Sequence, residues 1–115
     1  MAGCGQISPK ASTQSYIDAL KAQKYKHAWR CISRQSQENM SGLPDKNGYE
    51  SFKEKMEESL KDPDMKSQLF SSTVTGEHVD GDRAMVTVQF TGVQGTSSTQ
   101  EITLVKEDRD WKIRF

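Results

Sequence analysis

From Gly76 to Phe115 the chain alternates apolar and polar residues in three runs broken by turn residues, and few folds accept that pattern. In Arg83 to Thr91, Ala84, Val86, Val88 and Phe90 point one way while Met85, Thr87, Gln89 and Thr91 point the other. Thr99 to Lys106 repeats the alternation through Ile102 and Leu104, and Trp111 to Phe115 repeats it through Trp111 and Ile113. Asp80-Gly81, the stretch from Gly92 to Ser98, and Glu107 to Asp110 supply the turns. Period two with one apolar side predicts an antiparallel meander with a single buried face. A preceding stretch, from about Met65 through Leu69, Phe70 and Val74 to Asp80, reads as a further extended run. Everything upstream must then cover the buried face.

The upstream residues have helical spacing. Ser8-Pro9 is a helix start, with Ser8 as N-cap and Pro9 where no amide donor is missed. Tyr16, Ile17 and Leu20 form its apolar stripe, with Asp18 on the opposite side. Tyr25, Ala28, Trp29 and Ile32 fall at i, i+3, i+4 and i+7, a second amphipathic face that turns His27 and Cys31 outward. Tyr49, Phe52, Met56 and Leu60 give a third, with Asn47 and Glu50 at capping-box spacing and Asp62-Pro63 as its stop. Glu50, Glu54, Glu57 and Glu58 all lie off that stripe. Ser33 to Gly48 is polar and turn-rich, with only Met40 and Leu43 as apolar anchors, and reads as an irregular excursion. Helices followed by strands predict an α+β domain: three N-terminal helices on the concave face of a curved antiparallel sheet of about four strands.

Composition removes several functions. At 115 residues the chain is one domain, expected over residues 9–115. Sixteen basic and sixteen acidic residues cancel, so the excess positive charge of a nucleic-acid binder is missing. No apolar run approaches the ~20 residues that span a bilayer. Two cysteines, Cys4 and Cys31, make neither a disulfide framework nor a zinc site. There is no phosphate-binding glycine loop and no nucleophile elbow, so neither metal nor cofactor is expected.

Met1-Ala2-Gly3-Cys4-Gly5-Gln6 resembles the end of a bacterial lipoprotein signal, the lipobox, although Met1 stands where the box usually carries Leu. The resemblance implies that Cys4 carries lipid, that residues 1–8 are a flexible tether, and that the domain is anchored to a membrane of the cell envelope. An ordinary cytosolic start with a stray cysteine is the alternative, as is a Cys4–Cys31 disulfide in an unlipidated, exported form.

Order and spacing carry a wider resemblance. Tyr16 through Leu20, Tyr25 with Ala28-Trp29 and Ile32, Gly81-Asp82-Arg83-Ala84 leading into Val86 and Val88, and Leu104-Val105-Lys106-Glu107-Asp108 leading to Trp111-Lys112-Ile113 cover nearly the whole chain from Pro9. Together they resemble the nuclear transport factor 2-like (NTF2-like) superfamily, the cystatin-like roll, and within it small bacterial lipoproteins of unknown function. The resemblance implies a cone in which helices cap a concave sheet and leave a pocket at the open end. Tyr16, Leu20, Tyr25, Trp29, Phe52, Phe90 and Trp111 are the expected lining, equally consistent with simple core packing. It also implies dimers formed sheet to sheet, here through Met85, Thr87, Gln89, Thr91, Thr103 and Val105.

Enzymes on this roll place a carboxylate or a histidine–carboxylate pair inside the cone. In this chain Asp18, His27, the third helix's glutamates and Glu101 point outward, and Asp80, Asp82, Glu107, Asp108 and Asp110 lie in turns. No catalytic residue is assigned. The sequence therefore favours a non-enzymatic, exported domain that binds a small ligand or a protein partner. The alternative is a small isomerase- or dehydratase-like enzyme that recruits His78 or a loop acid.

Overall fold

The computed structural model describes residues 8–41, 48–107 and 109–115. Helix α1 spans Pro9–Lys21, and the Ser8 side chain caps it by accepting the Ala11 amide at 3.1 Å. Tyr16, Ile17 and Leu20 are buried on its inner side and Asp18 is exposed. Gln23, at φ +60°, takes the left-handed conformation just past the helix end. Helix α2 (Tyr25–Arg30) follows and buries Tyr25 and Ala28.

The meander forms as the alternation requires. Strands β1 (Thr73–Asp80), β2 (Arg83–Thr91), β3 (Ser97–Glu107) and β4 (Asp110–Arg114) make one antiparallel sheet in sequence order. Gly81, at φ +62°, opens the two-residue connection between β1 and β2, where a left-handed residue matches the strand twist. Register sets Ala84 opposite Leu104 and Leu104 opposite Ile113; all three are buried together with Val86, Val88 and Trp111. Phe90 and Ile102, on the same side, are half-buried.

The helical layer departs from the expected three. Among the described residues there are five helices, the others being α3 (Arg34–Ser41), α4 (Gly48–Ser59) and α5 (Pro63–Ser71). Helix α3 lies within the stretch read as irregular, because its eight residues carry no apolar stripe. Its start is set by polar contacts instead: the Ser33 hydroxyl accepts the Ser36 amide at 3.3 Å, and the distant Glu107 carboxylate accepts the Arg34 amide at 3.1 Å. Helix α4 follows its expected stripe, with Phe52 buried and Tyr49, Met56 and Leu60 packed against the core. Its proposed Asn47 cap lies outside the described residues, as do residues 1–7 of the expected tether, Cys4 among them.

Helix α5 replaces the first half of the expected extended run, so Leu69 and Phe70 are helical and β1 begins only at Thr73. Asp62-Pro63 stops α4 and also starts α5, with the Asp62 carboxylate accepting the Asp64 amide at 2.9 Å and Pro63 in the first turn. Two serines disguised this segment. Ser67 and Ser71 bond the backbone of Thr91, the latter by accepting the Thr91 amide at 2.7 Å, and so fasten α5 to the end of β2.

Cys31 is a second departure: expected to face outward, it is fully buried and disulfide-bonded. Helix α2 ends at Arg30, so the helical wheel no longer applies. From there the backbone runs beside β4, where the Ile113 amide donates to the Cys31 carbonyl and the Ser33 amide to the Ile113 carbonyl, each at 2.7 Å. This short parallel bridge, centred on Ile32 and Ile113, covers an edge that would otherwise be open to another strand.

Candidate functional site

The helices do not close completely over the concave face. Between α1, α4, α5 and the ends of β2 and β3 lies a groove of about 210 Å³. Pairs of side chains four residues apart face it: Tyr16 and Leu20 from α1, Met56 from α4 with Leu60 just past its end, and Met65 and Leu69 from α5. The sheet side is formed by Val88, Phe90, Gln100 and Ile102. Ile17, Ser59, Gln68 and Ser72 complete the wall, so among the described residues no Asp, Glu, Lys, Arg or His lines it.

Two polar groups in the wall are already committed. Gln68 Nε2 donates to Asp64 Oδ2 at 2.9 Å, and Ser72 Oγ donates to the Gln68 carbonyl at 2.7 Å. Tyr16 differs. It is 8% exposed, its ring packs against Phe115 at 6.1 Å between centroids, and its hydroxyl meets no hydrogen-bond partner among the described residues. Burial pushes its phenol above the ordinary value of 10.0, so the group is a neutral donor at any physiological pH.

Of the seven residues predicted to line a pocket, Tyr16, Leu20 and Phe90 face this groove. Tyr25, Phe52 and Trp111 are buried in the core, and Trp29 packs on Phe52 at 5.5 Å and Tyr49 at 6.4 Å. The helical stripe of aromatics is therefore mostly filling. Met56, Leu60, Met65 and Leu69 were missed as lining. Met56 and Leu60 had a visible signal, their one-turn spacing; Met65 and Leu69 had the same spacing inside a segment read as extended.

Other ionisable groups sit elsewhere. His27 is half-buried rather than freely solvated, with Nε2 3.0 Å from Ser15 Oγ in an open cleft of about 640 Å³ between α1 and α2. A hydroxyl–imidazole pair can act as nucleophile and base when a third group orients the ring. Nearby Asp18 instead accepts from Gln14 Nε2 at 2.9 Å, and among the described residues no carboxylate bonds the second ring nitrogen. His78 lies opposite Met85 on the outer side of the sheet, not at the groove. Glu101 is exposed opposite Thr87 on that same side.

A family model described as a domain of unknown function (DUF4878) matches residues 2–114. No curated protein matches the chain in sequence. Solved structures are similar in fold. A SEC-C motif-containing protein from Rhodopseudomonas palustris aligns at a TM-score of 0.63 and 16% identity, covering 99% of this chain and 79% of that one. A protein described as an NTF2-like transpeptidase, from Campylobacter jejuni, aligns at 0.55 and 15%, covering 94% and 99%. An NTF2-like protein of unknown function from Cytophaga hutchinsonii aligns at 0.53 and 14%, covering 95% and 88%.

Proposed function

The chain belongs to the DUF4878 family and has the NTF2-like fold, and from that premise we propose a non-enzymatic domain that binds a small molecule in the groove of its cone. One observation carries the reading: the groove is largely apolar, and among the described residues no side chain that is charged at neutral pH lines it. General acid–base chemistry most often uses an imidazole or a carboxylate within hydrogen-bond reach of the reacting atom. Among the described lining residues there is neither, and burial holds the one phenol, Tyr16, neutral. Binding needs only a concave apolar wall with a few polar groups. Met56 and Met65, unbranched and polarizable, let that wall adapt to its occupant. The test is ligand-observed NMR with acetophenone as a neutral probe. Saturable line broadening with the probe recovered unchanged is expected; absence of saturable broadening, or conversion of the probe, overturns the reading.

Export is the second part of the proposal. Cys31 is disulfide-bonded, and Cys4 is the only other cysteine of the sequence. A thioether-linked lipid would occupy the Cys4 sulfur and leave Cys31 a thiol, so lipidation and a Cys4–Cys31 disulfide are alternative fates of one thiol. Both belong outside the cytosol: the lipid anchors the domain to an envelope membrane, and disulfides persist in oxidising compartments. Palmitate labelling together with intact mass after alkylation distinguishes the forms in the native host. A lipid adduct or a disulfide is expected, and protein with both thiols free to alkylate would contradict export.

A further inference from the structure

We infer that the groove takes a small uncharged molecule of about seven to ten non-hydrogen atoms that presents a hydrogen-bond acceptor to the Tyr16 hydroxyl. This rests on the groove being the binding site, and adds the ligand's charge, size and polar feature.

Charge is decided by the lining. Fourteen of the described residues form the wall, and none of these carries a charge to pair with an ion. An ion taken from water into such a site loses its hydration and gains no partner, and binding is disfavoured accordingly. Size follows from volume. About 210 Å³ equals roughly seven water-sized volumes, enough for one ring with a short substituent or a chain of comparable bulk, and too little for a two-chain lipid.

The polar feature is decided by Tyr16. The Tyr16 ring is held largely buried while its hydroxyl meets no hydrogen-bond partner among the described residues, so that donor is available to an occupant of the groove. The hydroxyls and amides of Ser72 and Gln68 are spent on Asp64 and on backbone, while the Tyr16 hydroxyl is not. Ser59 and Gln100 also line the groove without a side-chain hydrogen bond among the described residues, but the first is half-buried and the second exposed. Tyr16, held against Phe115, is therefore the most fixed donor, and a carbonyl or ether oxygen of the ligand is its natural complement. The raised phenol pKa keeps the proton in place for that donation.

Three probes of matched size separate the claims: ethylbenzene, acetophenone and benzoate, titrated by NMR into wild-type protein and Tyr16→Phe. Wild-type protein is expected to bind acetophenone at least fivefold tighter than ethylbenzene, and benzoate at least tenfold more weakly than acetophenone. In Tyr16→Phe the first ratio should fall to about one while ethylbenzene binding is unchanged, which also shows that the variant is folded. An unchanged ketone-to-hydrocarbon ratio in Tyr16→Phe removes Tyr16 as the recognising group. Benzoate binding as tightly as acetophenone removes the restriction to neutral ligands. If neither neutral probe saturates, the groove is not the binding site and the underlying reading fails with it.

Discussion

Filling the groove from its rim should abolish binding without unfolding the protein, and Ser59 is the position from which to do it. Ser59 is half-buried at the last position of α4 and lines the groove, and its side chain makes no hydrogen bond among the described residues. Tryptophan adds about eight non-hydrogen atoms, comparable to the roughly seven water-sized volumes that about 210 Å³ provides. Because no hydrogen bond and no buried core contact is lost, the stability change should stay within about 1 kcal/mol. A nine-atom neutral probe at roughly 0.5 kcal/mol per atom corresponds to a dissociation constant on the order of 0.5 mM for the wild type. Calorimetric titration with acetophenone should then show at least a tenfold loss in Ser59→Trp. Ala22→Trp, which obstructs the open cleft that Ser15 and His27 share, should bind as the wild type does. Unchanged affinity in Ser59→Trp, or lost affinity in Ala22→Trp, would refute the assignment of the groove.

Thr13 Oγ1 is buried without a partner among the described residues, so Thr13→Val should raise stability by about 1 kcal/mol, or Tm by about 4 °C; a loss in urea melts would show that the hydroxyl is satisfied. A methyl group at Gly92 would stand 2.6 Å from Asp64 Oδ1, an oxygen that accepts the Val93 amide at 3.0 Å. Gly92→Ala should therefore cost about 1–2 kcal/mol, and less in an Asp64→Ala background; equal costs in the two backgrounds would break the link. Burial raises the Tyr16 phenol above its ordinary 10.0, so the unfolded chain releases that proton first and stability falls as pH rises beyond about 10. Tyr16→Phe should show a shallower fall in alkaline melts, and an identical slope would contradict the burial of that phenol.

The sheet was legible because period two is a strong signal once turns bracket it: β2 begins and ends where the alternation of Arg83 to Thr91 does. Helices α1, α2 and α4 were legible for the matching reason, each carrying an apolar stripe. Helices α3 and α5 were not. The first has Met40 as its single apolar residue and so no stripe, and the second spends Ser67 and Ser71 on Thr91, a contact twenty or more positions away that no local window contains. The site inherited that gap. Tyr16, Leu20 and Phe90 could be read as lining, whereas Met65 and Leu69 belong to the helix that sequence reading turned into a strand. Aromatic residues drew attention to Tyr25, Trp29, Phe52 and Trp111, which fill the core because large rings bury the most surface. Cys31 shows the limit of a helical wheel, which misplaces any residue beyond the true end of its helix.

Methionine methyl groups test the groove most directly, because Met56 and Met65 line it while Met85 stands on the outer side of the sheet, 41% exposed. With carbon-13 in the methionine methyls, acetophenone should shift the Met56 and Met65 signals along one saturable curve and leave Met85 still. A saturable shift of Met85 with Met56 and Met65 unmoved would put the ligand on the wrong side of the sheet and end the case for a binding cone.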